Sequence, residues 1–167
     1  MRIKSSLIYA LVVFVLSILI GYLLQIRLFS NYSEYNHATI MKGNWWFYFS
    51  TNIIICTFMF LGVFTLSITT IPLAVYNGIV IGNSLGVAVT HSLKLSKILL
   101  AILPHGIFEI PAIIISISVG LQGINFYKIS CKKEYLRYLG KMYGVVFILL
   151  FLASLVESYV SFLIAGG

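Results

Sequence analysis

Apolar runs long enough to cross a bilayer recur along this chain, and they leave it little choice of environment. A membrane-spanning helix needs about 20 consecutive, mainly apolar residues. Such runs are read at residues 6–25, 47–66, 72–91, 104–121 and 142–163. Of the 167 residues, 60% are hydrophobic and 9% charged, and the mean hydropathy is +1.05. A soluble domain of this size has too little interior for so much apolar sequence. The expectation is an all-α, polytopic membrane protein, a bundle of about five transmembrane helices forming one domain over 1–167. The lipid bilayer is its first partner.

One stretch conflicts with that environment. Leu103-Pro104-His105-Gly106-Ile107-Phe108-Glu109-Ile110-Pro111-Ala112 puts a histidine, a carboxylate, two prolines and a glycine inside an apolar run. On a helix His105 and Glu109, four positions apart, share a face. Pro104 suits a first helical position, where its missing N–H costs nothing. Pro111 removes a bond to the Ile107 carbonyl and favours a kink. Gly106 leaves room for a close neighbour. A charge at mid-bilayer costs about 2.5–3.5 kcal/mol on insertion scales. Glu109 must therefore face protein, pair, or hold its proton.

The same stretch resembles the signature of the stage II sporulation protein M family of integral membrane proteins. Asn77-Gly78 followed by Gly82 is similar to that family's Asn-Gly-x-x-x-Gly segment. Glu157 with Tyr159 and Val160 is similar to its final-helix acidic motif. The resemblance covers about residues 52–167. It implies a non-enzymatic membrane protein that works within a larger assembly. Members in spore formers act in engulfment with the peptidoglycan-degrading sporulation proteins D and P. Others accompany circular bacteriocins, in export or producer immunity. Membrane proteins and cell-wall hydrolases are thus the partners that the resemblance implies.

Basic residues set the expected topology. Arg2 and Lys4 precede the first run, which lacks a close small-x-small cleavage site and reads as a retained helix. With the N-terminus in the cytoplasm, Lys128, Lys132, Lys133, Arg137 and Lys141 also fall inside. Arg27, Lys42, Lys94 and Lys97 fall outside, as the positive-inside bias requires. Five spans then place the C-terminus outside the plasma membrane. Trp45, Trp46 and Tyr48 read as an interfacial aromatic belt. Leu95 to Leu103 is too short to cross alone, so a broken or re-entrant helix is expected before the fourth span. Tyr135 to Lys141 reads as an interfacial helix. The net charge of +7 points to topology and anionic lipid; no basic surface module argues for nucleic acid.

Gly78, Gly82 and Gly86 repeat every four residues, a small-xxx-small ridge for close helix packing inside the bundle or between protomers. A homo-oligomer is expected on that ground. The intramembrane polar cluster is expected to comprise His105, Glu109, Glu157 and Asn77, with His91 near a span end. Three roles compete for it. The residues can bond one another and lock the helices in register. They can line a path for protons, ions or a polar solute. His105, Glu109, Glu157 and His91 can also be weighed as metal ligands, but the zincin pattern would need histidine at Glu109. No cofactor is expected. Gly-x-Ser-x-Gly, Walker and Gly-x-Gly-x-x-Gly patterns are missing, and aspartate is absent altogether.

Overall fold

The computed structural model describes the backbone of residues 3–29, 44–90 and 95–161, and the side chains of 5–28, 44–90 and 106–159. The described chain is helical throughout apart from its turns. The helices are α1 (Ile3–Leu24), α2 (Trp45–Leu61), α3 (Thr70–Thr90), α4 (Leu95–Gly120), α5 (Gly123–Lys128) and α6 (Lys132–Val156). Single π-helical turns prolong α1 over Gln25–Phe29 and α6 over Glu157–Ser161. Segments Ser5–Leu28, Thr70–Thr90 and Lys132–Tyr159 are long and apolar enough to cross a membrane, while Trp45–Leu61 and Gly106–Gly120 are shorter apolar helices. Only helices satisfy their own backbone in hydrocarbon, so an apolar chain of this kind becomes a bundle.

Two expectations need correction. The break expected between Leu95 and Ile110 is absent, because α4 runs continuously from Leu95 to Gly120 through Pro104 and Pro111. A helix that keeps going forfeits one bond per proline. A break inside hydrocarbon would strand several backbone groups at once. Similarly, Tyr135–Lys141 is no separate interfacial helix but the first turns of α6. Tyr135, Leu139, Val146, Leu150 and Ala153 are buried at helical spacing along one stripe, which holds both parts in register.

Contact register gives the helix directions. Gly78 of α3 abuts Phe14 and Ser17 of α1, Gly82 abuts Ile18 and Tyr22, and Gly86 abuts Gln25. The numbers rise together, so α1 and α3 are parallel. Against α6, Phe60 meets Tyr143, Phe49 meets Phe147, and Trp45 meets Phe151. There the numbers run oppositely, so α2 and α6 are antiparallel. Gly120 of α4 comes up against the Met59 carbonyl of α2, and Gln122 bonds Ser6 at the start of α1. The five long helices therefore alternate in direction. The start of α1, the α2–α3 turn, α5 and the start of α6 gather at one end.

The core has two parts. Phe14, Cys56, Met59, Ala112, Ile117, Val146 and Leu150 pack along the bundle axis. Phe60, Val63, Val119, Tyr135 and Leu139 form a second cluster nearer the gathered end. The outward faces remain apolar, with Ile8, Leu16, Phe58, Tyr76 and Ile148 all exposed, as lipid contact requires.

The α2–α3 turn is fastened at that end. Leu66 and Ser67 take left-handed φ values of 52° and 72°, a conformation that costs a non-glycine residue about 1–2 kcal/mol. Surrounding bonds hold it. The Ser67 N–H donates to the Gly62 carbonyl at 2.8 Å and its hydroxyl to the Gly120 carbonyl at 2.9 Å. The Thr70 hydroxyl donates to the Met59 carbonyl at 2.7 Å.

Candidate functional site

α4 positions the carboxylate singled out by sequence. At 1.5 Å per residue, Glu109 lies about 16 Å along α4 from Gly120, near the middle of a hydrocarbon layer of about 30 Å. It is partly buried, as is Glu157, which opens the π-helical turn after α6. The two carboxylates act on each other electrostatically, and the Cys56 thiol of α2 lies in the field of Glu109 beside the Ser116 hydroxyl. Cys56 thus stands beside Ser116 and within electrostatic reach of Glu109, and Glu109 within reach of Glu157. Among the described residues, neither glutamate has an ion-pair partner. A π-turn widens the helix by one residue per hydrogen-bonded ring and is frequent at functional sites; here Glu157 begins one.

The other expected members are distributed differently. His105 lies one turn before Glu109 in the continuous α4, so their backbones share a face. The side chains of His105 and Pro104 lie outside the described residues, as does His91. The Asn77 amide donates to the Leu73 carbonyl of its own helix at 2.8 Å. Gly106 is buried and Pro111 is exposed on the outer side of α4. Among the described residues no three histidine, cysteine or acidic side chains gather as a metal site.

The glycine ridge is occupied within the chain. A Cβ at Gly78 would collide with the Ser17 side chain, and one at Gly82 with the Ile18 carbonyl. On the facing side, a Cβ at Gly21 would collide with the Ile79 backbone. These glycines set the α1–α3 separation, so the ridge carries no argument for self-association.

A second polar group escaped the sequence reading. Ser6, Ser118, Gln122 and Tyr135 are all at most 7% exposed. The Tyr135 hydroxyl donates to Gln122 Oε1 at 2.9 Å, and Gln122 Nε2 donates to Ser6 Oγ at 3.1 Å and to the Ser118 carbonyl at 3.2 Å. Ser6 and Ser118 share a further bond at 3.1 Å. One amide thereby ties α1, α4 and α6. Its signal was faint, since polar residues at helix ends ordinarily face water. A glutamine held between Gly120, Leu121 and Gly123 was the available hint.

The model of one protein family, described as stage II sporulation protein M, matches residues 10–162. No curated protein and no solved structure matches the chain.

Proposed function

This chain belongs to the stage II sporulation protein M family, and from that premise we propose that it is a non-enzymatic membrane component of a larger assembly. The observation that carries the reading is the reach of the family match, from within α1 to the last π-helical turn. The whole bundle is the family's unit. Internal bonding also supports a fixed platform. Ser17, Thr57 and Ser116 donate to the carbonyls of Val13, Ile53 and Ala112 at 2.7, 2.6 and 2.9 Å. Hydroxyls closed onto their own helices leave few groups to line a wet path. The partner is a second membrane protein or a cell-wall hydrolase, reached in the plasma membrane. Engulfment is the setting if the source forms spores. The test is cross-linking in native membranes, affinity purification and mass spectrometry. A stoichiometric hydrolase or membrane partner is expected. Recovery of this protein alone, or with a transporter ATPase, would overturn the reading.

One observation favours a second reading, transport of an ion, small solute or bacteriocin-type peptide, including producer immunity. Glu109 and Glu157 are two electrostatically linked carboxylates with no ion-pair partner among the described residues. An intramembrane acid without a fixed counter-charge suits a coupling group. On this reading Glu109→Gln leaves the bundle folded and stops flux in liposomes. Flux at the wild-type rate would remove Glu109 as the coupling group.

A further inference from the structure

We propose that the gathered end of the bundle carries a binding site for the phosphate of an anionic glycerophospholipid. A cavity of about 500 Å³ opens there between the first turns of α1 and α5, within the size range of small-ligand sites. Its walls offer the Tyr9 hydroxyl, the Asn125 amide and the Lys128 ammonium, with Ser5 beside them and Leu121 as an apolar floor. Among the described residues, no carboxylate lines it. Hydroxyl and amide donors beside one cation are the groups that hold a phosphodiester.

The wall is built in advance of any ligand. Ser6 lines the same cavity and belongs to the buried network with Ser118, Gln122 and Tyr135. That network fixes where α1 stands relative to the α4–α5 corner, so the donors need little reorganisation on binding. Three features select a lipid over free phosphate. The cavity lies where the transmembrane helices end, beside α5 and the basic start of α6. Ile8, Val12 and Leu16 continue from it along α1 as an exposed apolar track, one turn apart. Lys132, over the Phe126 ring of α5, adds to the positive field that concentrates anionic headgroups.

The full chain is purified in mild detergent and studied by native mass spectrometry with phosphatidylglycerol, with phosphatidylcholine, and with inorganic phosphate as competitor. Wild-type protein is expected to retain one phosphatidylglycerol selectively. Lys128→Ala and Asn125→Ala should each weaken retention by about five-fold, while Lys133→Ala, a surface charge outside the cavity, changes it little. Both test residues are exposed, so folding should survive, and circular dichroism checks it. Equal loss with Lys133→Ala would mean diffuse surface attraction and overturn the site. Unchanged retention in both Lys128→Ala and Asn125→Ala would do the same. Displacement by millimolar inorganic phosphate would show that the cavity takes free phosphate, and phosphatidylcholine bound equally well would remove the anionic selectivity.

Discussion

Replacing Gly82 with alanine should pry α3 from α1, although it adds a single methyl group. The new Cβ would sit 2.8 Å from the Tyr22 nitrogen and 2.9 Å from the Ile18 carbonyl carbon, and would collide with the Ile18 oxygen. All three are backbone atoms in mid-helix, so no rotamer change relieves the clash. Merely clearing the clash means a retreat of α3 by about 1 Å. A gap of 0.5–1 Å forfeits about a quarter to a half of each atom-pair attraction of about 0.1–0.2 kcal/mol. The retreat also loosens the seats of Gly78, Gly86 and Gly21 on the same interface. With about 50 atom pairs across the seam, the loss is about 2–3 kcal/mol, in line with overpacked cores. Alanine's better helix propensity returns up to about 1 kcal/mol, leaving a net cost of about 1–2 kcal/mol. Gly140→Ala is the control, because a Cβ at Gly140 meets nothing within 4 Å. Thermal unfolding of purified protein in one fixed detergent should rank Gly82→Ala below wild type and Gly140→Ala at or above it. Equal midpoints for the two variants would refute the reasoning.

Other perturbations read other parts of the bundle. Tyr135→Phe leaves the buried Gln122 Oε1 without its donor and should cost about 1–3 kcal/mol; an unchanged unfolding midpoint would mean that water or a neighbour takes the donor's place. Ser67→Ala removes the bond to Gly120 and keeps a Cβ in left-handed backbone, whereas Ser67→Gly removes the same bond and relieves that backbone. The glycine variant should be the more stable of the two by about 1 kcal/mol, and the reverse order in the same unfolding assay would contradict the turn described above. The native cysteines report orientation: Cys56 is buried and Cys131 exposed. With the gathered end in the cytoplasm, a membrane-impermeant maleimide labels Cys131 only after cells are permeabilised, and labelling of intact cells would invert the topology.

The sequence made the fold legible wherever one physical rule acted alone. Apolar length marked the helices, and the four-residue spacing of Gly78, Gly82 and Gly86 marked a packing ridge. Sequence could not name the partner of that ridge, because the matching surface on α1 mixes Ser17, Gly21 and Gln25 and shows no glycine period. Proline misled at α4. In water a Pro-His-Gly segment reads as a helix start, but in hydrocarbon the cost of stranded backbone outweighs two missing bonds and the helix continues. The candidate site was half legible. Glu109 and Glu157 stand out by charge alone, while Cys56, with no second cysteine near it in sequence, carries no signal until α2 packs it beside Ser116 of α4. Asn77 stands out as an amide within an apolar run, and the structure adds its bond to the Leu73 carbonyl of its own helix.

These placements separate two kinds of polar group within one bundle. At the gathered end, Ser6, Ser118, Gln122 and Tyr135 complete one another's hydrogen bonds, so their burial is compensated and their effect is to fix three helices in place. Glu109 and Glu157 lie within electrostatic reach of each other, with no ion-pair partner among the described residues. Two like charges in a setting of low dielectric disfavour each other. Stability alone would favour an apolar pair there. The closed network by itself ties α1, α4 and α6 together. A proton, a cation or a basic group from a neighbouring protein would each relieve the repulsion between the glutamates. Cross-linking and flux separate the last of these from the others: a partner that carries the counter-charge should be lost from the purified assembly in Glu109→Gln, with flux never observed.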